Sequence, residues 1–199
     1  MTSPMRRSLL WITSITTMVV FPAVGAIKVR DVKFDKIGRD EWIRARIELV
    51  ASDNPLPEPK NRRFLDDIKL HFYLIYGRQS TGFDFYESEV EIVSMEIGKR
   101  YHIDFFLPGV VVERDQLSKE PFAYLVEFEI SGNDFPFSPS HASSNVSSNE
   151  AARGSMKSRT ESEGSINRGI LLPSYFAPPT LTNGESESYP AFRRLDSLR

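Results

Sequence analysis

The chain has 199 residues, with 25 lysines and arginines, 27 aspartates and glutamates, and no cysteine. Without cysteine there is no disulfide, thiolate metal site, iron–sulfur cluster or lipid-modified cysteine. No basic run exceeds two residues. Nucleic-acid binding and an electrostatic membrane patch are therefore not expected, since both need clustered Lys and Arg.

Residues 1–26 have the pattern of a cleaved signal peptide. Arg6 and Arg7 precede an apolar stretch from Ser8 to Phe21, and Val24-Gly25-Ala26 forms a small-residue cleavage site. The apolar stretch falls short of the roughly 20 residues that span a bilayer. We expect a mature chain from Ile27, with a net charge of −4 and no membrane span, in the periplasm or at the cell surface of a Gram-negative bacterium.

Residues 27–133 predict an all-β domain. Ile43, Ala45, Ile47 and Leu49 alternate with polar or charged residues, which is typical of a half-buried strand. About seven short strands separated by turn residues indicate an immunoglobulin-like antiparallel β-sandwich, although the disulfide of antibody domains is absent. The predicted strands cover residues 27–36, 42–49, 68–76, 82–86, 88–97, 101–107 and 122–130.

Two of these strands change phase. The apolar positions move from odd to even between Val29 and Val32, and from even to odd between Ile92 and Met95. Such a shift predicts a β-bulge or a strand that changes sheets. The one helix predicted is short, within residues 110–117.

Residues 134–199 predict a disordered, serine-rich tail. The stretch from Ser138 to Ser165 has ten serines and no aromatic residue, too little apolar surface to offset backbone ordering. An apolar segment at 169–176 follows. It could add to a sheet edge or cover an apolar patch, in its own chain or a neighbour's, and Pro173 restricts it to an edge.

No catalytic residue, metal site or cofactor is predicted. His71 and His102 lie on different predicted strands, so a two-histidine metal site is conceivable but less favoured than ordinary strand histidines. Glu87, Glu89 and Glu91 share one strand face, and we interpret them as solvated surface rather than as calcium ligands or a glycosidase pair. Nucleotide-binding and serine-hydrolase motifs are absent, which favours a non-enzymatic protein.

Some strands are apolar on both faces, which leaves two interpretations. These residues could lie under loops, or they could form an outer patch for a protein partner or for self-association. The candidate partner-binding residues are Tyr73, Ile75, Leu125, Ile170, Leu171, Leu172, Tyr175 and Phe176.

Two further hypotheses remain open. A sandwich that binds carbohydrate or another small ligand would need an exposed aromatic platform, and the candidates are Trp42, Phe83, Phe85 and Tyr86. A periplasmic chaperone is less favoured, because the two-domain type needs about twice this folded length.

The wording of several segments resembles a known family. IKVRDVKFD, GRDEW, RRFLDDIKLHFYL, FDFYESEVEIVSMEIGKRYHIDFFLP and VERDQLSKEPFAYLVEFEI look like small exported immunoglobulin-like proteins associated with bacterial type IV pilus systems. The resemblance covers about residues 27–130. It implies an exported sandwich that acts with pili and supplies no active-site residues. Residues 1–26 lack a pilin start, so it implies an accessory protein rather than the filament subunit.

Overall fold

The computed structural model describes residues 25–78, 82–182 and 189–193, so most of the expected signal peptide lies outside the described residues. Two antiparallel sheets form a sandwich, which confirms the predicted all-β fold. The strands are β1 (Ile27–Ile37), β2 (Trp42–Ala51), β3 (Phe64–Gly77), β4 (Phe83–Glu96), β5 (Arg100–Leu107), β6 (Ala123–Ile130), β7 (Asn133–Asp134), β8 (Leu172–Pro173) and β9 (Ala191–Arg193).

The helices are short, with one exception. They are α1 (Gly109–Arg114), α2 (Ser144–Ser147), α3 (Glu150–Glu163) and α4 (Pro179–Thr182), and 3-10 turns occur at Pro139–His141, Gly164–Asn167 and Ser174–Phe176. Helix α1 confirms the one predicted from sequence. Within the described ranges, no helix has the length and apolar character needed to cross a membrane.

The strand order is that of an immunoglobulin-like domain. One sheet has the order β1-β2-β5-β8 and the other β7-β6-β3-β4-β9. In immunoglobulin lettering, β1, β2 and β5 correspond to A, B and E, while β6, β3 and β4 correspond to F, C and C′. The three short strands β7, β8 and β9 take the flanking positions G, D and C″.

The alternation read from sequence places the core correctly. The side chains of Ile43, Ala45, Ile47 and Leu49 are at most 1% exposed and point between the sheets. Phe72 of one sheet meets Phe105 of the other at 5.0 Å between ring centroids. Burial of these apolar faces is the main contribution to stability in a domain of this kind.

Both predicted phase changes correspond to irregular pairing. The β1–β2 register shifts between Val29 and Asp31, and the β4–β9 register shifts between Ile92 and Ser94. Asp67 lies in β3, across from the second shift, and adopts a left-handed backbone conformation with φ 52°. The predicted runs 82–86 and 88–97 are one continuous strand, β4.

The prediction of a disordered tail is wrong for residues 134–182. Asn149 caps α3 by accepting a hydrogen bond from the Ala152 backbone N–H at 3.0 Å, and Met156 and Thr160 are almost fully buried against the five-stranded sheet. The tail has few apolar residues, but the sheet supplies the apolar surface that they cover. Residues 183–188 and 194–199 lie outside the described residues.

The tail also completes both sheets. Leu172 and Pro173 pair with Phe106 and Phe105 of β5, and β9 pairs with β4 near Ile92. Of the two alternatives for the apolar segment, the structure therefore shows edge addition within its own chain. On the opposite side, the Phe135 N–H donates to the Phe128 carbonyl at 2.8 Å, along the edge of β6.

His141 packs between β1 and β6, at the side where the two sheets meet. Its side chain is 1% exposed and contacts the rings of Phe128 and Phe137, with centroids 5.3 and 5.7 Å away. The Ser138 backbone N–H donates to Nδ1 at 3.3 Å. Burial lowers the pKa of His141 to about 4, although an interaction with the Ile27 backbone acts in the opposite direction.

This depressed pKa predicts a loss of stability in mild acid. The unfolded chain protonates His141 below its ordinary pKa of 6.5, whereas the folded chain stays neutral until about pH 4. The free energy of unfolding should fall by about 2 kcal/mol between pH 6.5 and pH 5. Urea denaturation at both pH values measures it. In His141→Phe, the free energy of unfolding should fall by about 2 kcal/mol less over the same interval than in the parent protein. Equal losses in the two proteins would contradict the assignment of this pH dependence to His141.

Candidate binding face

The outward face of the five-stranded sheet has an apolar half and a charged half. Tyr73 and Ile75 of β3, Phe85 of β4 and Leu125 of β6 form the apolar half. Their exposed fractions are 8% or less, because α2, α3 and the preceding turn lie over them. The covering side chains are Ala142, Val146, Ala152 and Met156.

This cover changes the interpretation of three predicted partner-binding residues. Tyr73, Ile75 and Leu125 do lie on the outward face, opposite the main core, as their strand positions indicated. They do not form an open apolar patch, because the chain covers it with its own tail. The tail candidates have separate positions: Leu171 is buried in the main core, Ile170, Leu172 and Tyr175 are half-buried, and Phe176 is 44% exposed.

The four predicted platform residues do not form a flat aromatic surface. Phe85 and Tyr86 are at most 1% exposed, and the Tyr86 hydroxyl donates to Asp115 at 3.1 Å. Phe83 is half-buried beside Phe122, whereas Trp42 lies in the other sheet. An aromatic pair closer to the charged half is instead formed by Tyr175 and Phe176, whose centroids are 4.7 Å apart.

The charged half is a lattice of glutamates and basic residues. Glu87, Glu89 and Glu91 of β4 face outward as expected, and Glu127 and Glu129 of β6 lie across β3 from them. His71 lies between them, with Nδ1 3.2 Å from Glu89 and Nε2 3.3 Å from Glu129. The tail supplies further cations: Lys157 at 2.8 Å from Glu127, Arg168 at 3.6 Å from Glu87 and Arg193 at 3.1 Å from Glu91.

Two clefts border on Tyr73, where the apolar and charged halves join. One cleft, of about 610 Å³, runs along β4 to Tyr175 and Phe176, and the other, of about 260 Å³, runs along β6 to Phe137. His71, Tyr73 and Glu161 line both. We call these the Tyr73 clefts.

The hydroxyl of Tyr73 is the unusual group of this site. The residue is 7% exposed, its ring stacks on His71 at 6.4 Å, and its hydroxyl has no hydrogen bond within the described residues. Burial, followed by the charges of Glu127, Glu87, Glu161 and Glu89, raises its pKa above the ordinary value. The phenol therefore stays protonated and is available both to donate and to accept a hydrogen bond.

The groups in this arrangement are suited to binding. No group of three or more acidic or histidine side chains in the described residues is placed to hold a metal ion. His71 lies between two carboxylates. Carboxylates, aromatic rings and a phenol are groups that contact cations and polar ligands.

Sequence reasoning found part of this face. The alternation of Glu87, Glu89 and Glu91 predicted their common orientation. The contributions of Lys157, Glu161 and Arg168 were missed because the tail was interpreted as disordered. Asn149 followed by a stretch without proline was the available signal for a capped helix.

The comparisons support the fold. No protein-family model matches the sequence, and no curated protein matches it. A crystal structure of a protein from Akkermansia muciniphila is similar, with 15% sequence identity and a TM-score of 0.57. The match covers 84% of this chain and 93% of that one, which is more than residues 1–133 could supply. The structural likeness therefore includes part of the tail.

Proposed function

We propose that this protein is a non-enzymatic, exported interaction protein, an accessory component of a cell-surface or type IV pilus assembly. It acts through protein–protein contacts made by the outward face of the five-stranded sheet. Export rests on the signal-peptide pattern of residues 1–26. The pilus association rests on the family resemblance of residues 27–130.

The observation that carries the proposal is the meeting of two clefts at Tyr73, a largely buried residue whose hydroxyl has no hydrogen bond within the described residues. The hydroxyl is not among the fully buried polar atoms, so it can be reached from the clefts and can donate to or accept from a ligand. The clefts combine charge with exposed apolar surface at Phe176, which is 44% exposed. Aromatic residues and arginine are enriched at protein interfaces, and the larger cleft has Tyr175, Phe176 and Arg168 in its lining.

Affinity purification tests this proposal. The tagged protein, incubated with envelope extract and cross-linked, should retain one or a few surface proteins reproducibly. Phe176→Asp places a charge at the rim of the larger cleft and should reduce that recovery at least fivefold. The control is Val110→Asp, which makes the same type of change at an apolar position on α1 that is 72% exposed and lies outside both clefts.

A carbohydrate ligand is the second candidate function. Its support is the same larger cleft, because Tyr175 and Phe176 offer ring faces beside Glu87 and Arg168, the side-chain types that contact sugars. Binding on a glycan array that Phe176→Asp abolishes, with only background proteins recovered from the envelope extract, would replace the first proposal by this one.

A further inference from the structure

We propose that the Tyr73 clefts bind the ammonium group of a lysine in a basic, extended segment of a protein partner. The inference rests on the proposed function and deepens it by naming the chemistry of the partner. The clefts and the residues around Tyr73 support it through charge, shape and hydrogen-bonding capacity.

The charge balance of the clefts favours a cation. Their described lining holds six carboxylates but only two permanently cationic side chains, Lys157 and Arg168. The carboxylates are Glu87, Glu89, Glu127, Glu129, Asp134 and Glu161. A site lined in this way attracts positive groups and repels negative ones.

Glu161 is the carboxylate best placed to accept a new partner. It projects from α3, is exposed, borders both clefts and has no ion pair within the described residues. The other carboxylates near Tyr73 already contact His71, Lys157 or Arg168. An incoming ammonium would therefore contact Glu161 first and the Tyr73 hydroxyl second.

The shape of the clefts fits a side chain with a long apolar stem. Tyr73, Tyr175 and Phe176 supply ring surface on the way to the carboxylates, and the methylene chain of lysine packs on such surface while its ammonium reaches a polar end. The aromatic faces add attraction for the cation itself. The larger cleft, about 610 Å³, also has room for the neighbouring residues of an extended peptide.

The test uses fluorescence anisotropy with the purified protein. The probe is a labelled Lys-Ser-Lys-Ser-Lys-Ser-Lys peptide, and a Glu-Ser-Glu-Ser-Glu-Ser-Glu peptide is its control. The basic peptide should bind, the acidic one should not, and added salt should weaken binding because the contact is electrostatic. Tyr73→Phe and Glu161→Gln should each weaken it about fivefold, since each removes one bond to a charged group.

A matched control variant separates the clefts from the general charge of the protein. Glu113→Gln makes the same charge change on α1, outside both clefts, and should leave the affinity unchanged. Tyr73→Phe removes a hydroxyl that has no hydrogen bond to any described residue, so we expect the variant to fold normally.

Three results would overturn the inference. They are absence of binding to the basic peptide, equal affinities in all variants, and displacement of the peptide by spermidine at a similar concentration, which would indicate a small-amine site. None of them would remove the proposed function if the envelope partner is still recovered and still lost with Phe176→Asp. If instead the unsubstituted protein recovers no envelope partner but binds the basic peptide, the proposed function is contradicted and the peptide site is supported.

Discussion

A chain that ends at residue 133 should fail to form a stable fold. Removing residues 134–199 takes away the buried side chains of Val146, Met156 and Leu171. At about 1.5–3 kcal/mol for each buried side chain, the loss is about 6 kcal/mol. Exposure of Tyr73, Ile75 and Leu125 adds a comparable amount, and the sum approaches the whole stability of an ordinary domain.

Circular dichroism and urea denaturation check this expectation. The truncated protein should show no cooperative transition, or should aggregate through the uncovered apolar half. A chain that ends at residue 193 keeps every described residue and should unfold at the urea concentration of the full chain. A truncated protein with a cooperative transition near that of the full chain would restore the view of the tail as an appendage.

Replacing Asp104 by alanine should cost about 3 kcal/mol of stability. Its carboxylate is 1% exposed and accepts two hydrogen bonds from Arg46, at 2.9 and 2.8 Å, and one from the Tyr189 hydroxyl at 2.5 Å. Without the carboxylate, Arg46, which is 17% exposed, would lose two hydrogen bonds to an anion in a partly buried position. Urea denaturation at pH 7 measures the change.

Two controls define this effect. Asp35→Ala breaks a more exposed pair on the same sheet, to Arg44 at 3.3 Å, and should change stability by less than about 1 kcal/mol. Combining Arg46→Met with Asp104→Leu replaces the pair by apolar groups and should recover most of the loss. If Asp104→Ala alone is as stable as the parent protein, Asp104 makes no net contribution to the free energy of unfolding.

The sandwich was predictable because its evidence is local. The alternation in β2 and the phase changes near Val29 and Ile92 record which side of a strand each residue faces. A sheet face buried against another sheet must be apolar at every second position. The prediction of the sandwich was therefore confirmed, although the runs 82–86 and 88–97, which were predicted as separate strands, form the single strand β4.

The tail was not predictable by the same reasoning because its order depends on distant surfaces. Helix α3 places only Met156 and Thr160 in buried positions, so its own pattern is weak. The compensating apolar residues lie in β3, β4 and β6, well before it in the chain. Their second apolar face was visible in the sequence, but nothing in a single strand says which segment covers it.

Both sheets receive an edge strand from the final quarter of the chain, β8 on one and β9 on the other. The native pairing is therefore incomplete until residue 193 has been synthesised and can reach β4. These pairings join residues far apart in sequence, and such contacts form slowly. The order of the strands therefore makes completion of both sheets depend on the last part of the chain to be synthesised.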